Sequence, residues 1–157
     1  MEKNQSSTKI DLFWREFLEK TGRNETTTYL EAFHFELTEK LANELLQLVL
    51  DGQKKATASS LWSYEIQGNP LPKVGDLSIV TDWEGTPRCV IQTTAVTIIP
   101  FSEVTYDLCK REGEDDTLES WQRGHIRFYK SEGSSIGYVF HEDMPVVFED
   151  FEVVYKR

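Results

Sequence analysis

A chain of 157 residues has room for one domain with a sizeable core and is short for two. Its 27 acidic against 17 basic residues leave a formal charge of −10, which excludes general electrostatic attraction to long duplex DNA, because phosphate neutralisation needs a basic face. The apolar runs are short and broken by charge, and the first residues lack a signal-peptide core, so a cytoplasmic protein without membrane attachment is expected.

Residues 1–8 are polar and read as a loose tail. From Thr8, a plausible N-cap, Ile10, Phe13, Trp14, Phe17 and Leu18 share a helical face that Gly22 ends; with the tail this makes an N-terminal unit over 1–26, followed by the main domain over 27–157. Tyr29, Phe33 and Phe35 form an aromatic cluster read as core. Leu37, Leu41, Leu45, Leu48 and Val49 then mark an amphipathic helix to Leu50, with Thr38 as its cap and Gly52 as its stop.

The polar segment Gly52-Gln53-Lys54-Lys55-Ala56-Thr57-Ala58-Ser59 follows directly. Between Gly52 and Gly75 the charged residues are Lys54, Lys55, Lys73 and Glu65, a net positive stretch in an acidic chain that points to a local cationic cleft for one phosphate or a short single strand. Taken alone, lysines past a helix end are usually solvated cations favoured by the macrodipole. Beyond Trp62 the chain is rich in Pro and Gly, which predicts turns leading to a strand over 77–81, a hairpin connection over 82–87 and a long strand over 88–99.

The run Glu112 to Asp116 reads as an acidic surface loop, with Glu114 and Asp115 simply solvated. A helix is expected from Asp116 or Thr117, carrying Leu118, Trp121, His125, Phe128 and Tyr129 on one stripe and ending at Gly133; on that stripe His125 reads as a satisfied core histidine. Strands are expected over 138–140 and 145–155. Cys89 and Cys109 lack metal-ligand or disulfide spacing, and no His-x-His pattern occurs, so no metal site is assigned. The order of elements is that of an α+β domain.

The pattern Gly52-x-Lys54-x-x-Thr57 resembles the signature of the ASCH family, and Pro70 to Val80, Cys89 to Thr94, Pro100 to Val104 and Trp121 to His125 resemble it too. The likeness runs over about residues 27–155. It implies a PUA-like curved β-barrel with flanking helices and an association with RNA or nucleoside chemistry. It also implies Lys54, Thr57 and Glu112 as catalytic positions, matching family members that act as amidohydrolases on N4-acylated cytidine. In those members an arginine stands two positions after the threonine, whereas this chain has Ser59. The doubled lysine, Lys54-Lys55, is closer to members described as metal-assisted ribonucleases, which leaves a divalent metal open although none is assigned.

Two functions follow as expectations. The first is binding of RNA, a nucleotide or a modified nucleoside in a cleft around Lys54, Lys55 and Thr57, with Ser59 as a polar contact and Trp62 or Tyr64 as a stacking face. The second is hydrolysis, in which a desolvated and therefore neutral Lys54 amine activates the Thr57 hydroxyl and Glu112 steers protons. An interaction domain that uses the cleft little is the third alternative.

Overall fold

A computed structural model describes the backbone of residues 2–157 and the side chains of residues 8–157. In chain order the elements are helix α1 (Glu2–Thr21), strand β1 (Ala32–Phe33), helix α2 (Glu39–Leu50), strand β2 (Ala56–Ser60), helix α3 (Leu61–Gln67) and strand β3 (Leu77–Thr81). Strand β4 (Pro87–Pro100), the four-residue helix α4 (Tyr106–Cys109), helix α5 (Leu118–Ile136) and strand β5 (Pro145–Lys156) complete the set. Single 3₁₀ turns at Phe101–Glu103 and Lys110–Glu112 flank α4.

The strands form one sheet in the order β1-β3-β4-β5-β2, with β1 parallel to β3 and the other pairs antiparallel. Register shifts at Val90/Ile91 and Thr93/Ala95 bend the long β4–β5 ladder. The bending stops short of closure. Strands β1 and β2 remain edges and do not pair, so the expected barrel is an open, curved sheet. The two-residue β1 and five-residue β2 offer too little ladder to seal the gap, and α2 and α5 stand there instead.

Both faces of the central strands are covered, which explains why β3 is buried throughout rather than alternately. Ile79 and Val90 face Phe13, Phe17 and Leu18 of α1, while their neighbours Val80, Cys89 and Ile91 face Leu46 and Val49 of α2 together with Phe35 and Phe151. A third cluster joins Trp121 and Tyr129 of α5 to Ala56, Ala58, Val146 and Phe148 at the other end of the sheet.

Helix α1 starts at Glu2, so the polar tail expected over 1–8 is helical except for Met1, which lies outside the described residues, and Thr8 sits within the helix rather than capping it. Its end is as expected: Gly22 has φ +68 and Arg23 N–H reaches back to the Leu18 carbonyl at 2.9 Å. Thr38 caps α2 by accepting from Leu41 N–H at 3.3 Å, and Thr117 caps α5 by accepting from Ser120 N–H at 3.1 Å. Helix α5 runs past Gly133 to a cap at Gly137, because at Gly133 the missing side chain makes room for the Tyr138 carbonyl, which a Cβ would meet at 2.2 Å. The strand expected over 138–140 is irregular chain, and the passage after Ser60 contains the unforeseen α3, capped by the Ser60 hydroxyl. Among the described residues no helix is long and apolar enough to cross a membrane.

Candidate functional site

The gap between the two sheet edges is a cavity of about 830 Å³. Phe33 of β1 and Thr57, Ala58 and Ser59 of β2 line it from the edges, Leu41, Leu45 and Leu48 from α2, and His125, Arg127 and Phe128 from α5. The alternation of β2 selects which residues reach it. Ala56, Ala58 and Ser60 point to the core, whereas Thr57 and Ser59 lie on the opposite face. Glu149 stands across the ladder from Thr57 and lines the same space.

Lys54 enters this cavity because its backbone is fixed on two sides. Its N–H and that of Gln53 bond the Leu48 carbonyl at the end of α2, while Lys55 N–H donates to the Arg111 carbonyl at 2.9 Å and Gln53 Nε2 to the Gly113 carbonyl at 2.7 Å. The turn carrying Glu112 and Glu114 is thereby laced to the segment carrying Lys54. Gly113 between them has φ +70, and a Cβ there would come within 2.3 Å of the Gln53 carbonyl oxygen, so this position needs glycine on two counts.

The result is a buried ionic cluster. Lys54, 2 % exposed, donates from Nζ to the Ala56 carbonyl at 2.7 Å, to Glu114 Oε2 at 2.9 Å and to Glu112 Oε2 at 3.4 Å, and its ammonium lies 5.3 Å from the centre of the Phe35 ring. His125 stacks on Trp121 with ring centroids 4.2 Å apart; its Nδ1 meets the Trp121 carbonyl at 2.9 Å and its Nε2 meets Glu112 Oε2 at 3.2 Å. A carbonyl only accepts, so Nδ1 carries a proton. Nε2 faces a carboxylate and carries the second, making the ring an imidazolium.

Charge states follow from this packing. Burial alone would lower the Lys54 pKa, but the carboxylates of Glu112 and Glu114 outweigh it and hold the group above its ordinary value. Burial likewise opposes the charged His125, and Glu112 reverses it, raising the histidine. Glu112 is held below the carboxylate range despite its burial, because His125 and Lys54 both approach it. Glu114 goes the other way, raised by burial and by Glu112, even though it makes the shorter contact to Lys54. Two adjacent buried carboxyls titrate as a unit, and Glu112, the one served by two cations, keeps the charge while Glu114 keeps the proton.

Several expectations change here. Lys54 is a partnered ammonium rather than a neutral base, and the Thr57 hydroxyl is not among its partners. The cationic cleft is absent: the cavity is lined by eight carboxylate residues against Lys54, Arg127 and two histidines, and Arg127 is itself 3.4 Å from Glu36. Lys55 lies outside the cavity, on a smaller hollow beside Lys156 and Glu152. Trp62 also lies outside it, packed against the α5 cluster and edge-on to Tyr138. Thr57, Ser59, Tyr64, Lys54 and Glu112 do line one cavity. Glu114 and His125, set aside above as solvated loop and core, belong to the cluster; neither short-range pattern nor periodicity reports contacts made across 60 positions, as from Lys54 to Glu114, or 13, as from Glu112 to His125. Glu112, Glu114 and His125 offer ligand-type atoms within 4.8 Å of one another, yet the Lys54 ammonium already serves as the cation of this cluster.

A family model described as the ASCH domain matches residues 31–155. The chain belongs to the ASCH domain family. Among solved structures, the ASCH domain from Lactobacillus crispatus JV V101 is 35% identical with a TM-score of 0.84, over 94% of this chain and 95% of that one. A protein from Enterococcus faecalis V583, assigned to family DUF984, is 34% identical with a TM-score of 0.85, over 94% and 88% of the two chains. The hypothetical protein PH0355, 18% identical at a TM-score of 0.52 over 81% of this chain and 100% of that one, shares the fold. No curated protein matches the chain. The chain thus spans most of the length of both of these structures.

Proposed function

We propose that this ASCH domain binds a nucleoside, or one base of an RNA strand, within the cavity, recognising the base rather than the phosphates. The observation that carries the reading is the buried Lys54–Glu112–Glu114–His125 cluster at a cavity of about 830 Å³, within the size range of small-molecule sites. Phe33, Phe35, Phe128 and Tyr64 provide aromatic faces on which a base can stack. The acid-rich lining opposes a phosphate chain, and the net charge of −10 gives no long-range attraction to RNA. Titration calorimetry of nucleosides, their 5′-monophosphates and short single-stranded RNA at two salt concentrations tests this. Nucleosides are expected to bind with little salt dependence and monophosphates more weakly. Salt-sensitive RNA binding with no nucleoside binding would overturn the reading.

Hydrolysis of an acylated base is the second reading, favoured by Thr57 lining the same cavity as an ionised and a protonated carboxyl. With Lys54 charged, the base is Glu112: it takes the Thr57 hydroxyl proton as the oxygen bonds the acyl carbon, and Glu114 returns a proton to the amine as the C–N bond breaks. Water then cleaves the ester. Lys54 steadies the developing oxyanion. Release of cytidine from N4-acetylcytidine is the assay; Thr57→Ala is expected to abolish turnover and retain binding. Turnover in Thr57→Ala equal to wild type would remove the hydroxyl from the chemistry.

A further inference from the structure

Strand β2 is a sheet edge whose outward donors and acceptors are treated unequally. Its ladder with β5 fixes which groups face outward. Phe151 N–H donates to the Lys55 carbonyl at 3.0 Å, and Thr57 opposite Glu149 and Ser59 opposite Val147 continue that register in steps of two, so Lys55, Thr57 and Ser59 bond β5. Phe148, opposite Ala58, belongs to the alternate set. Phe101 N–H donates to the Met144 carbonyl at 2.9 Å, and the same step of two along that ladder turns Val146 and Phe148 toward β4. The N–H and C=O of Ala56 and Ala58 therefore leave the sheet at its open edge. Both carbonyls are capped, Ala56 by Lys54 Nζ at 2.7 Å and Ala58 by the Tyr129 hydroxyl at 2.9 Å. The donor at Ala58 is not: among the described residues no oxygen accepts from its N–H. The Ala58 methyl packs in the α5 core cluster, so the part of this residue that lines the cavity is its backbone. A backbone N–H without an acceptor is rare in a residue only 8 % exposed.

We propose that Ala58 N–H is a fixed donor to a carbonyl oxygen of the ligand, beside Thr57, and makes the cavity selective for molecules with an uncharged carbonyl. This deepens the nucleoside reading, on which it rests for the identity of the ligand. A partner strand at this edge would bring one N–H and one C=O to Ala58. Tyr129 supplies the donor, and the ligand supplies the acceptor. The acid-rich lining opposes carboxylate or phosphate as the source of that acceptor, which leaves a neutral carbonyl. Cytidine, uridine and guanosine carry one on the base; adenosine carries none. No rearrangement is needed, because the ladder bonds of Thr57 and Ser59 on either side hold the Ala58 peptide in place. A donor fixed in advance costs little to order when the ligand arrives.

Backbone amide exchange of the full-length protein, followed by NMR, reads the donor directly. Without ligand, the amides of Thr57 and Ser59 are expected to exchange about tenfold or more slower than that of Ala58 between them. An Ala58 amide as protected as its neighbours is already bonded or sealed off, and overturns the proposal. Uridine, cytidine, adenosine and acetamide are then added, with binding followed in parallel by calorimetry. Uridine or cytidine is expected to slow exchange at Ala58, and adenosine to leave it unchanged; equal protection by adenosine overturns the carbonyl selectivity. Of 2-thiouridine and 4-thiouridine, in each of which sulfur replaces one carbonyl oxygen, one is expected to bind about threefold to tenfold more weakly than uridine. If nucleosides bind while the Ala58 amide is unmoved, or both thio analogues bind as uridine does, the donor role is overturned and nucleoside binding stands. If acetamide alone slows Ala58 exchange, the donor role stands and the nucleoside reading falls. If no probe binds, both fall. Ala58→Pro deletes the N–H at an outward edge position, the kind of strand site that accepts proline, and is expected to bind uridine and its thio analogues alike; a preserved preference overturns the role. Should that variant fail to fold, exchange and thio substitution in the wild type still decide.

Discussion

Replacing Lys54 by methionine keeps an unbranched side chain of similar length and deletes one charge with its three hydrogen bonds. Removing one partner of a buried ion pair usually costs about 3–5 kcal/mol. Here the remaining groups soften the loss, because Glu112 keeps His125 at 3.2 Å and Glu114 already holds a proton. The Ala56 carbonyl, on a residue with no exposure, loses its short bond from Nζ, which adds about 1–3 kcal/mol for a buried unsatisfied acceptor. The expected destabilisation is therefore about 3 kcal/mol at pH 7, at the low end of the ion-pair range. Urea unfolding followed by tryptophan fluorescence measures it: for a slope of about 1–3 kcal/mol/M the midpoint falls by about 1–3 M with the slope unchanged. The pH dependence carries a second check. A cation whose folded pKa is raised contributes stability that is complete below its ordinary 10.5 and is lost only as pH rises through the folded value, so the penalty stays constant from pH 7 to pH 10. A loss under about 1 kcal/mol, or one that vanishes by pH 9, would refute the view of Lys54 as a partnered ammonium.

Gly113→Ala is expected to destabilise by more than about 1 kcal/mol, since the residue sits at φ +70 and its Cβ would strike the Gln53 carbonyl; it should also lower ligand affinity by moving Glu112 and Glu114, and a variant with wild-type stability would show that the turn is not held as described. Glu149, pushed up to about 7 by burial, with Glu31 and Asp76 adding to it, binds a proton in the folded state that the unfolded chain releases near 4.5. Its contribution is complete below that value and is lost as pH rises through about 7, so Glu149→Gln should flatten the fall in stability between pH 5 and pH 8; an unchanged slope counts against it.

The long helices and long strands are legible because their signals are local, whereas α3 and α4, of seven and four residues, are not. Thr38 and Thr117 announce caps within one turn of the residues they serve, Leu77 to Thr81 reads as a strand from composition, and the motif around Lys54 carries the family likeness together with Pro70 to Val80, Cys89 to Thr94, Pro100 to Val104 and Trp121 to His125. Barrel closure was not legible, since it depends on whether β1 and β2 are long enough to pair, and β1 is two residues. Misreading the cleft as cationic had a similar origin. Counting lysines along a segment ignores that Lys54 turns inward to two glutamates nearly sixty positions away while Lys55 turns to a different hollow. His125 was hidden by its own helix: an i, i+4 stripe with Trp121 and Tyr129 is also what a core face looks like.

The energetic meaning of the cluster bears on function more than its composition does. Replacing a buried ion pair by apolar groups of similar shape is often neutral or stabilising, so Lys54, Glu112, Glu114 and His125 are a costly way to fill a core. The ionic cluster stands at an open cavity between the two unpaired sheet edges, with Lys54, Glu112, Glu114 and His125 all among the residues that line it. An incomplete sheet and a buried charge cluster are each unfavourable taken singly; set together, they leave a polar cavity of the size that small molecules fill.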